Sequence, residues 1–126
     1  MPIKILVAED EPDLEFLIRR KFRKRIRAGE LQFIFTENGI EALKQIEANP
    51  DIYVVLSDIN MPQMDGFTLL TELNERYPLL RTVIISAYGN MQNIRTAMNQ
   101  GAYDFVTKPI DLDDLERTIN KTIRHV

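Results

Sequence analysis

Residues 54–66 read Val-Val-Leu-Ser-Asp-Ile-Asn-Met-Pro-Gln-Met-Asp-Gly, and the interpretation of the rest of the chain starts from this stretch. It continues an apolar run, rich in β-branched residues, that begins at Ile52 and is typical of a strand buried on both faces. The run stops at the carboxylate of Asp58, and Pro62 and an Asp-Gly pair then predict a loop before the next helix. A lone acid therefore stands where a buried strand ends, at the edge where open α/β sheets bind ligands.

Composition limits the classes of protein to consider. The chain has 126 residues, so we expect one domain over residues 1–126, and its 44% apolar and 28% charged content is ordinary for a globular protein. A net charge of −3 gives no overall attraction to nucleic acid or to an anionic membrane. With no cysteine and a single histidine, His125, near the C-terminal end, a Cys-based metal site and a His-centred triad are both disfavoured. The sequence has no signal-peptide layout and no apolar run near the ~20 residues of a membrane span, so we expect a cytoplasmic location without membrane contact.

Strand and helix patterns alternate along the chain, which predicts a parallel sheet with helices on both faces. The predicted strands cover residues 3–8, 31–35, 52–56, 82–86 and 103–107. Five helices are expected at residues 12–26, 40–47, 67–77, 91–100 and 112–123, the first ended by Gly29 and the last capped near Asp111. Right-handed crossovers then favour an α/β doubly wound fold with strand order 2-1-3-4-5.

Polar side chains follow most of the predicted strands at the point where each strand ends. They are Glu9 and Asp10 after the first strand, Asp58 after the third, Ser86 as the last residue of the fourth and Lys108 after the fifth. The carboxyl ends of parallel strands share one edge, and a 2-1-3-4-5 order puts the topological switch between strands one and three. We therefore expect the three carboxylates to meet there.

Three close carboxylates repel one another, and a hard divalent cation such as Mg²⁺ removes that penalty. An aspartate beside Mg²⁺ can attack a phosphoryl group, while a lysine and a hydroxyl hold the remaining phosphoryl oxygens. The sequence supplies each of these groups once, which predicts an aspartyl-phosphate site.

In these motifs the chain resembles the receiver domain of two-component response regulators. The matching pieces are Glu9-Asp10, Asp58 within Asp-x-x-Met-Pro-x-Met-Asp-Gly, Ser86-Ala87, residues 101–105 and Lys108-Pro109, in the usual order and spacing. The resemblance covers the whole chain and implies a flavodoxin-like (βα)5 fold. It implies a phosphorylation-activated switch rather than an enzyme with an external substrate, although the domain assists its own phosphorylation and dephosphorylation.

The resemblance also implies a role for each site residue. Asp58 is expected to accept the phosphoryl group, and Asp10 and Asp58 to bind Mg²⁺ (or Mn²⁺) with the backbone carbonyl of Asn60. Glu9 would act through a metal-bound water, and Lys108 would pair with the acceptor and its phosphate. Ser86 would bond a phosphoryl oxygen, and Phe105 would be the switch aromatic that moves with Ser86.

The implied partners are a sensor histidine kinase or phosphotransfer protein, an output domain or effector protein, and a second copy in a phosphorylation-dependent homodimer. No direct binding of nucleic acid by this domain is expected. The fourth predicted helix is polar and rests only on Ile94, Ala97 and Met98. Such an element has low local stability, so we expect its face, with the fifth strand and fifth helix, to change on phosphorylation.

Two other functions remain open at this stage. A Mg²⁺-dependent phosphatase would use the same acceptor, but such enzymes usually place an acid two residues later, where this chain has Asn60. A passive flavodoxin-like binding module is the third possibility, although the acidic loop after the first strand would repel a flavin phosphate. A small acyl-phosphate donor separates the three, through stable modification of Asp58, steady turnover, or no reaction.

Several single features also have a purely structural interpretation. Asp58 and Ser86 could be helix caps, Lys108 a solvated surface lysine and Phe105 a core residue, while Asp65 is expected to start a helix. Seven of the nine residues in 19–27 are basic. A solvated helix face is the simpler interpretation of that segment, and a docking surface for an acidic partner is the other.

Overall fold

The computed structural model describes residues 1–87 and 89–124, so His125 lies outside the described residues. The chain alternates strands and helices in the order β1 Ile3–Ala8, α1 Pro12–Lys21, α2 Arg23–Arg27, β2 Leu31–Thr36, α3 Gly39–Ala48, β3 Ile52–Asp58, α4 Gly66–Arg76, β4 Arg81–Ala87, α5 Met91–Asn99, β5 Asp104–Lys108 and α6 Leu112–Ile123. All strand pairings are parallel, and the sheet order is β2-β1-β3-β4-β5. The predicted strand order is confirmed.

Alternation along the strands divides the core between the two faces of the sheet. In β1, Ile5 and Val7 face a cluster that includes α1, α2 and α6, whereas Leu6 and Ala8 face a cluster with α3 and α4. A third, smaller cluster packs α5 against β4. The strands β1, β3 and β4 are buried on both faces, which explains why each of them is a continuous run of mostly apolar residues.

The prediction of one helix over residues 12–26 is wrong in one respect. The segment divides into two helices at Phe22, so the described residues form six helices instead of the predicted five. Phe22 leaves helical backbone geometry (φ −100°, ψ 14°) and puts its ring, 1% exposed, against Phe33 at a centroid distance of 5.3 Å. Helical spacing of apolar residues does not distinguish a continuous helix from one that bends to bury an aromatic ring. Gly29 follows α2 with φ +76°, as expected of a glycine that ends a helix.

Other boundaries follow from capping side chains. Asp65 accepts the Thr68 N–H at 2.8 Å at the start of α4, and Asp111 accepts the N–H groups of Asp113 and Asp114 at the start of α6, so both predicted caps are confirmed. In α5 only Ile94 and Ala97 are buried, and the predicted third anchor, Met98, is wrong because it is 39% exposed.

None of the helices in residues 1–87 and 89–124 is both long and apolar enough to cross a membrane.

Candidate functional site

The carboxylates predicted to meet do meet at the carboxyl ends of β1 and β3. These strands are neighbours, with Ala8 paired to Ser57, so the residues that follow leave the sheet side by side. Carboxylate oxygens of Glu9, Asp10 and Asp58 all lie within 4.8 Å of one another. Glu9 and Asp58 are buried and Asp10 is exposed, so the cluster opens to solvent on one side only.

Lys108 joins this cluster from the end of β5. Its Nζ donates a hydrogen bond to Oδ2 of Asp58 at 2.8 Å and lies 3.1 Å from Oε2 of Glu9. The exposed carboxylate of Glu11, which lies outside the cluster of three, also approaches Lys108: its Oε1 is 3.5 Å from Nζ. The peptide bond between Lys108 and Pro109 is cis. One ammonium group therefore faces several carboxylates and leaves the cluster with a net negative charge.

Burial and the neighbouring charges act together most clearly on the Glu9 carboxyl. Burial, followed by the hydrogen bond and repulsion from Asp58, raises the pKa of the Glu9 carboxyl to about 8, and Lys108 opposes this shift only in part. Oε1 of Glu9 accepts the Glu11 N–H at 3.2 Å, whereas the buried Oε2 forms an ion pair but no hydrogen bond. Desolvation acts to lower the pKa of Lys108, but its contacts with Asp58 and Glu9 outweigh it and keep this pKa above its usual value.

The loop between Asp58 and α4 is held by two close backbone approaches. The Gly66 N–H donates to the Ile59 carbonyl at 2.8 Å, and a Cβ at Gly66 would lie 2.3 Å from the carbonyl oxygen of Asp58. The Gly39 N–H, at the start of α3, donates to the Met64 carbonyl at 3.2 Å. A Cβ at Gly39 would lie 2.7 Å from Cβ of Met64. Side chains are absent at these two points because the backbones need the space.

The other predicted site residues lie at different distances from the acceptor. The Asn60 N–H donates to Oδ1 of Asp58 at 3.3 Å, so the expected metal-binding carbonyl belongs to a residue tied to the acceptor. Ser86 is buried one position beyond Ile85, the β4 residue paired with Asp58, but no hydrogen bond joins its hydroxyl to Asp58 within residues 1–87 and 89–124. Phe105 pairs with Ile84 and is 36% exposed, further out on β5.

The geometry contradicts the purely structural interpretations of the site residues as helix caps, a solvated lysine or a core aromatic. Asp58 is the last residue of β3 while Asp65 caps α4, and the cap of α5 is Asn90, which accepts the Asn93 N–H, rather than Ser86. Lys108 is bonded into the cluster and is not a solvated lysine. Phe105 is too exposed to be a core residue.

Sequence reasoning missed Glu11 and Gly39 as parts of this region. Glu11 extends the acidic run that begins at Glu9, so its nearness to Lys108 could have been inferred from position alone. Gly39 precedes the helix predicted over residues 40–47, but it is the first residue of α3, after the capping Asn38 whose Oδ1 accepts the Glu41 N–H at 2.9 Å. Nothing local in the sequence indicates that its hydrogen takes the place of a side chain facing Met64.

The cluster fits a hard divalent cation on its own chemistry. It offers carboxylate oxygens only, it carries more negative than positive charge, and the buried Oε2 of Glu9 forms an ion pair with Lys108 but no hydrogen bond. Oxygen ligands with an open, solvent-facing side are what Mg²⁺ and Mn²⁺ prefer. Glu9, Asp10 and Asp58 could therefore hold such an ion.

Comparison with known proteins points the same way. Residues 5–120 match the family described as the response regulator receiver domain. The chain is 32% identical over 122 residues to the DNA-binding transcriptional regulator NtrC of Escherichia coli K12, an alignment that covers 96% of this chain and 25% of that protein. The response regulator protein FleR of Pseudomonas aeruginosa is 34% identical over 111 residues, which cover 88% of this chain and 22% of FleR. The chain thus spans about a quarter of the length of these curated relatives.

Solved structures share the fold. The receiver domain of NtrX from Brucella abortus superimposes with a TM-score of 0.85 at 28% identity, covering 97% of this chain and 99% of that one. A receiver domain of a putative Luxo repressor protein from Vibrio parahaemolyticus gives a TM-score of 0.88 at 22% identity, covering 99% and 92%, and supports the flavodoxin-like fold alone. This family binds a divalent metal, in agreement with the acidic cluster. The chain belongs to the response regulator receiver domain family of two-component systems.

Proposed function

We propose that residues 1–126 form one receiver domain that accepts a phosphoryl group on Asp58 from a phosphohistidine of a sensor histidine kinase or phosphotransfer protein. The observation that carries the proposal is the environment of this carboxylate. It is 5% exposed, bonded to Lys108, and close enough to Glu9 and Asp10 to share an ion with them. A capping or merely structural aspartate needs none of these neighbours.

In the transfer step, an Asp58 carboxylate oxygen forms a bond to phosphorus as the phosphorus–nitrogen bond of phosphohistidine breaks, and the imidazole nitrogen keeps the electron pair. Lys108 already pairs with Asp58 and keeps a cation beside the new acyl phosphate. Asp10, Asp58 and the carbonyl of Asn60 would hold Mg²⁺, or Mn²⁺ in its place, and Glu9 would act through a water bound to the ion. The bound ion supplies charge neutralisation for the transferred oxygens.

The response to phosphorylation is assigned to the face formed by α5, β5 and α6. The Ser86 hydroxyl would donate to a phosphoryl oxygen, and Phe105 would leave its exposed position as β4 and the following loop adjust. Support for this assignment comes from the small number of buried anchors in α5 and from the exposure of Phe105. The changed face would bind an output domain, an effector protein or a second copy of the chain, and no nucleic acid is bound by this domain itself.

Phosphodonor treatment tests the proposal. The wild-type chain is incubated with acetyl phosphate or phosphoramidate, with and without Mg²⁺, and its intact mass is measured over time. The proposal expects one added phosphoryl group, with Mg²⁺ only, and no addition to Asp58→Asn, in which the amide cannot form the acyl phosphate. Asp13→Asn, an exposed acid outside the cluster, is the matched control and should behave as wild type.

The alternatives give different results in the same assay. Continuous release of phosphate without accumulation of a modified chain would indicate a phosphatase, and unmodified wild-type protein at saturating Mg²⁺ would indicate a passive module. Amide hydrogen exchange locates the response: α5 and β5 should change when an acyl-phosphate mimic binds, while α4 should not. Equal exchange in α5 with and without the mimic would contradict the assignment of that face.

A further inference from the structure

A cavity lies at the edge of the sheet opposite the acceptor. It has a volume of about 410 Å³ and lies where β3 and β4 begin, next to the ends of α3 and α4. The buried side chains of Ile46 and Ile52 line its inner part, and the exposed Pro78 and Leu79 line its outer part. Ile52 is the first residue of β3 and Asp58 is the last, which places the cavity about 20 Å along the strand from the acceptor. The cavity is therefore separate from the acidic cluster and from the face formed by α5, β5 and α6.

Two half-buried tyrosines, Tyr53 and Tyr77, also line the cavity, and an arginine packs on each ring. The guanidinium carbon of Arg81 lies 5.5 Å from the centre of the Tyr53 ring, and that of Arg76 lies 5.4 Å from the centre of the Tyr77 ring. Both arginines are held in turn. Arg81 donates to a backbone carbonyl in the last turn of α6 at 2.6 Å, and Arg76 donates to Glu47 at 2.6 Å. The aromatic walls of the cavity are therefore fixed before any ligand arrives.

Among the described residues that line the cavity, only Asp51 carries a charge. Lys4 donates a hydrogen bond to its Oδ1 at 3.1 Å, and the ammonium lies 2.9 Å from its Oδ2. The hydrogen bond from Lys4 lowers the pKa of the Asp51 carboxyl, so this group is ionised at neutral pH. Its side chain is still 53% exposed, and each carboxylate oxygen can accept a further hydrogen bond. The cavity thus offers one strong acceptor on an otherwise mostly apolar surface.

We propose that this cavity binds a small, uncharged aromatic molecule that carries one N–H or O–H donor. The ring of the ligand would pack against Tyr53 and Tyr77, and its donor would bond to the Asp51 carboxylate. Small-molecule sites typically have volumes of about 300–1,000 Å³ and apolar, aromatic linings with a few polar groups, which describes this cavity. Aromatic pairs add attraction beyond the area that they bury. The site does not include the acceptor, so the inference stands apart from the proposed function.

The charges around the cavity select a neutral ligand. An anion would meet the carboxylate of Asp51. A cation would meet the ammonium of Lys4, which already neutralises that carboxylate, and the guanidinium groups of Arg76 and Arg81 that pack on the two tyrosines. An aromatic molecule without a donor would remove water from the Asp51 carboxylate and give it no hydrogen bond in return. One donor on an uncharged ring satisfies all three conditions.

Indole is a suitable probe because it has one flat ring system, one N–H group and no charge. The full chain, labelled with ¹⁵N, is titrated with indole and its NMR amide signals are recorded. Saturable shifts are expected within residues 46–53 and 77–81, with a Kd of about 1 mM or below. The comparison ligand is 1-methylindole, which has the same ring system but no donor, and it should bind about tenfold more weakly. Indole-3-acetate, an anion, and tryptamine, a cation, should also bind more weakly than indole.

Variants test which groups hold the probe. Asp51→Ala removes the acceptor and should cancel the tenfold preference for indole over 1-methylindole, whereas a merely structural role of Asp51 would weaken both ligands equally. Asp13→Ala removes an exposed carboxylate on α1, away from the cavity, and should keep the preference. Tyr77→Ala should weaken both ligands. If that variant does not fold, Leu79→Ala, at a position that is 87% exposed, should weaken both by about twofold.

Four results would overturn the proposal. The first is the absence of saturable shifts in residues 46–53 and 77–81 up to the solubility limit of indole. The second is equal affinity of the wild type for indole and 1-methylindole, or a preference for indole that persists in Asp51→Ala. The third is tighter binding of indole-3-acetate or tryptamine than of indole. The fourth is a shift of the same amides that grows with protein concentration in the absence of any ligand, because a second copy of the chain would then cover the cavity.

Discussion

Two groups of like charge lack full compensation in the described part of the chain. One is the acidic cluster, and the other is a basic stripe of four exposed residues on α1 and α2 that form no ion pair within residues 1–87 and 89–124. The two groups differ in burial. Glu9 and Asp58 are buried, and burial, followed by the contact with Asp58, raises the pKa of the Glu9 carboxyl. The basic stripe consists of Arg20, Arg23, Lys24 and Arg27. Their exposed charges are solvated by water and screened by salt. Burying like charges costs free energy unless an ion binds between them. Exposed like charges cost little and stay accessible to a partner.

The largest expected effect is stabilisation of the acidic cluster by a cation. A ligand that binds only the folded state at a hundred times its Kd stabilises it by about 2.7 kcal/mol, so saturating Mg²⁺ should raise the free energy of unfolding by that order. Urea titration with and without Mg²⁺ measures the change. Asp58→Asn should lose most of it and Asp13→Asn should keep it. An equal gain in both variants would mean that the ion binds elsewhere.

Glu9→Gln tests the charge inside the cluster. The pKa of Glu9 is about 8 in the folded chain against 4.5 for an unperturbed glutamate carboxyl, so folding favours its protonated form. This contribution to stability is present below about pH 4.5 and is lost as pH rises through about 8.

The metal-free wild type should therefore lose stability relative to Glu9→Gln across that pH window, by at most about 1.4 kcal/mol per pH unit. Urea titrations of both proteins at several pH values in a chelating buffer measure the difference. Parallel stability curves for the two proteins would show that the Glu9 carboxyl is not perturbed by its neighbours.

Gly39→Ala tests whether the loop that carries Asn60 must be held for the cluster to work. The added Cβ would lie 2.7 Å from Cβ of Met64 and 2.8 Å from its carbonyl oxygen, so the loop must shift. We expect about tenfold weaker Mg²⁺ binding, with a loss of stability of about 1 kcal/mol.

Gly29→Ala is the control for this variant, because that glycine has φ +76° but no heavy atom within 4 Å of the added Cβ. It should lower stability without changing the affinity for Mg²⁺, as measured by titration calorimetry. If Gly39→Ala loses stability alone, then its close approach to Met64 is structural and does not position the loop.

The smallest effects belong to the basic stripe. Arg23→Gln removes an uncompensated charge and should change stability by less than about 0.5 kcal/mol, towards greater stability at low salt, with the difference absent near 1 M salt. Arg25→Gln removes contacts with Glu30 and Asn120 and should cost about 1 kcal/mol. A large loss from Arg23→Gln in thermal or urea unfolding would indicate that the stripe has a structural role.

The acidic cluster could be predicted from the sequence, because the strand order determines which strand ends are neighbours. Once five alternating units give the order 2-1-3-4-5, the residues after β1 and β3 must leave the sheet together, and Glu9, Asp10 and Asp58 follow from topology. Lys108 follows from the end of β5 in the same way. The roles assigned to Ser86 and Phe105 in switching stay predictions, since a single structure records one state.

The rest depends on contacts between distant segments. The break at Phe22 arises because its ring packs against Phe33 on β2, and the pairing of Lys21 arises from Asp113 on α6. The approach of Gly39 to Met64 joins the start of α3 to the loop before α4, and only the folded sheet brings these two segments together. Helical periodicity shows which side of a helix is apolar, but it does not show which exposed charges will find a partner.

We propose that Asp58 is the one carboxylate that accepts a phosphoryl group, with the help of the cluster around it. This proposal is tested most directly by treating the chain with phosphodonor and Mg²⁺, reducing the acyl phosphate with borohydride and mapping the peptides. We expect residue 58 to be recovered as homoserine and the reduction product to be absent when Mg²⁺ is chelated. Homoserine at position 10 or another acid, or an unreduced residue 58 in a phosphorylated chain, would contradict it.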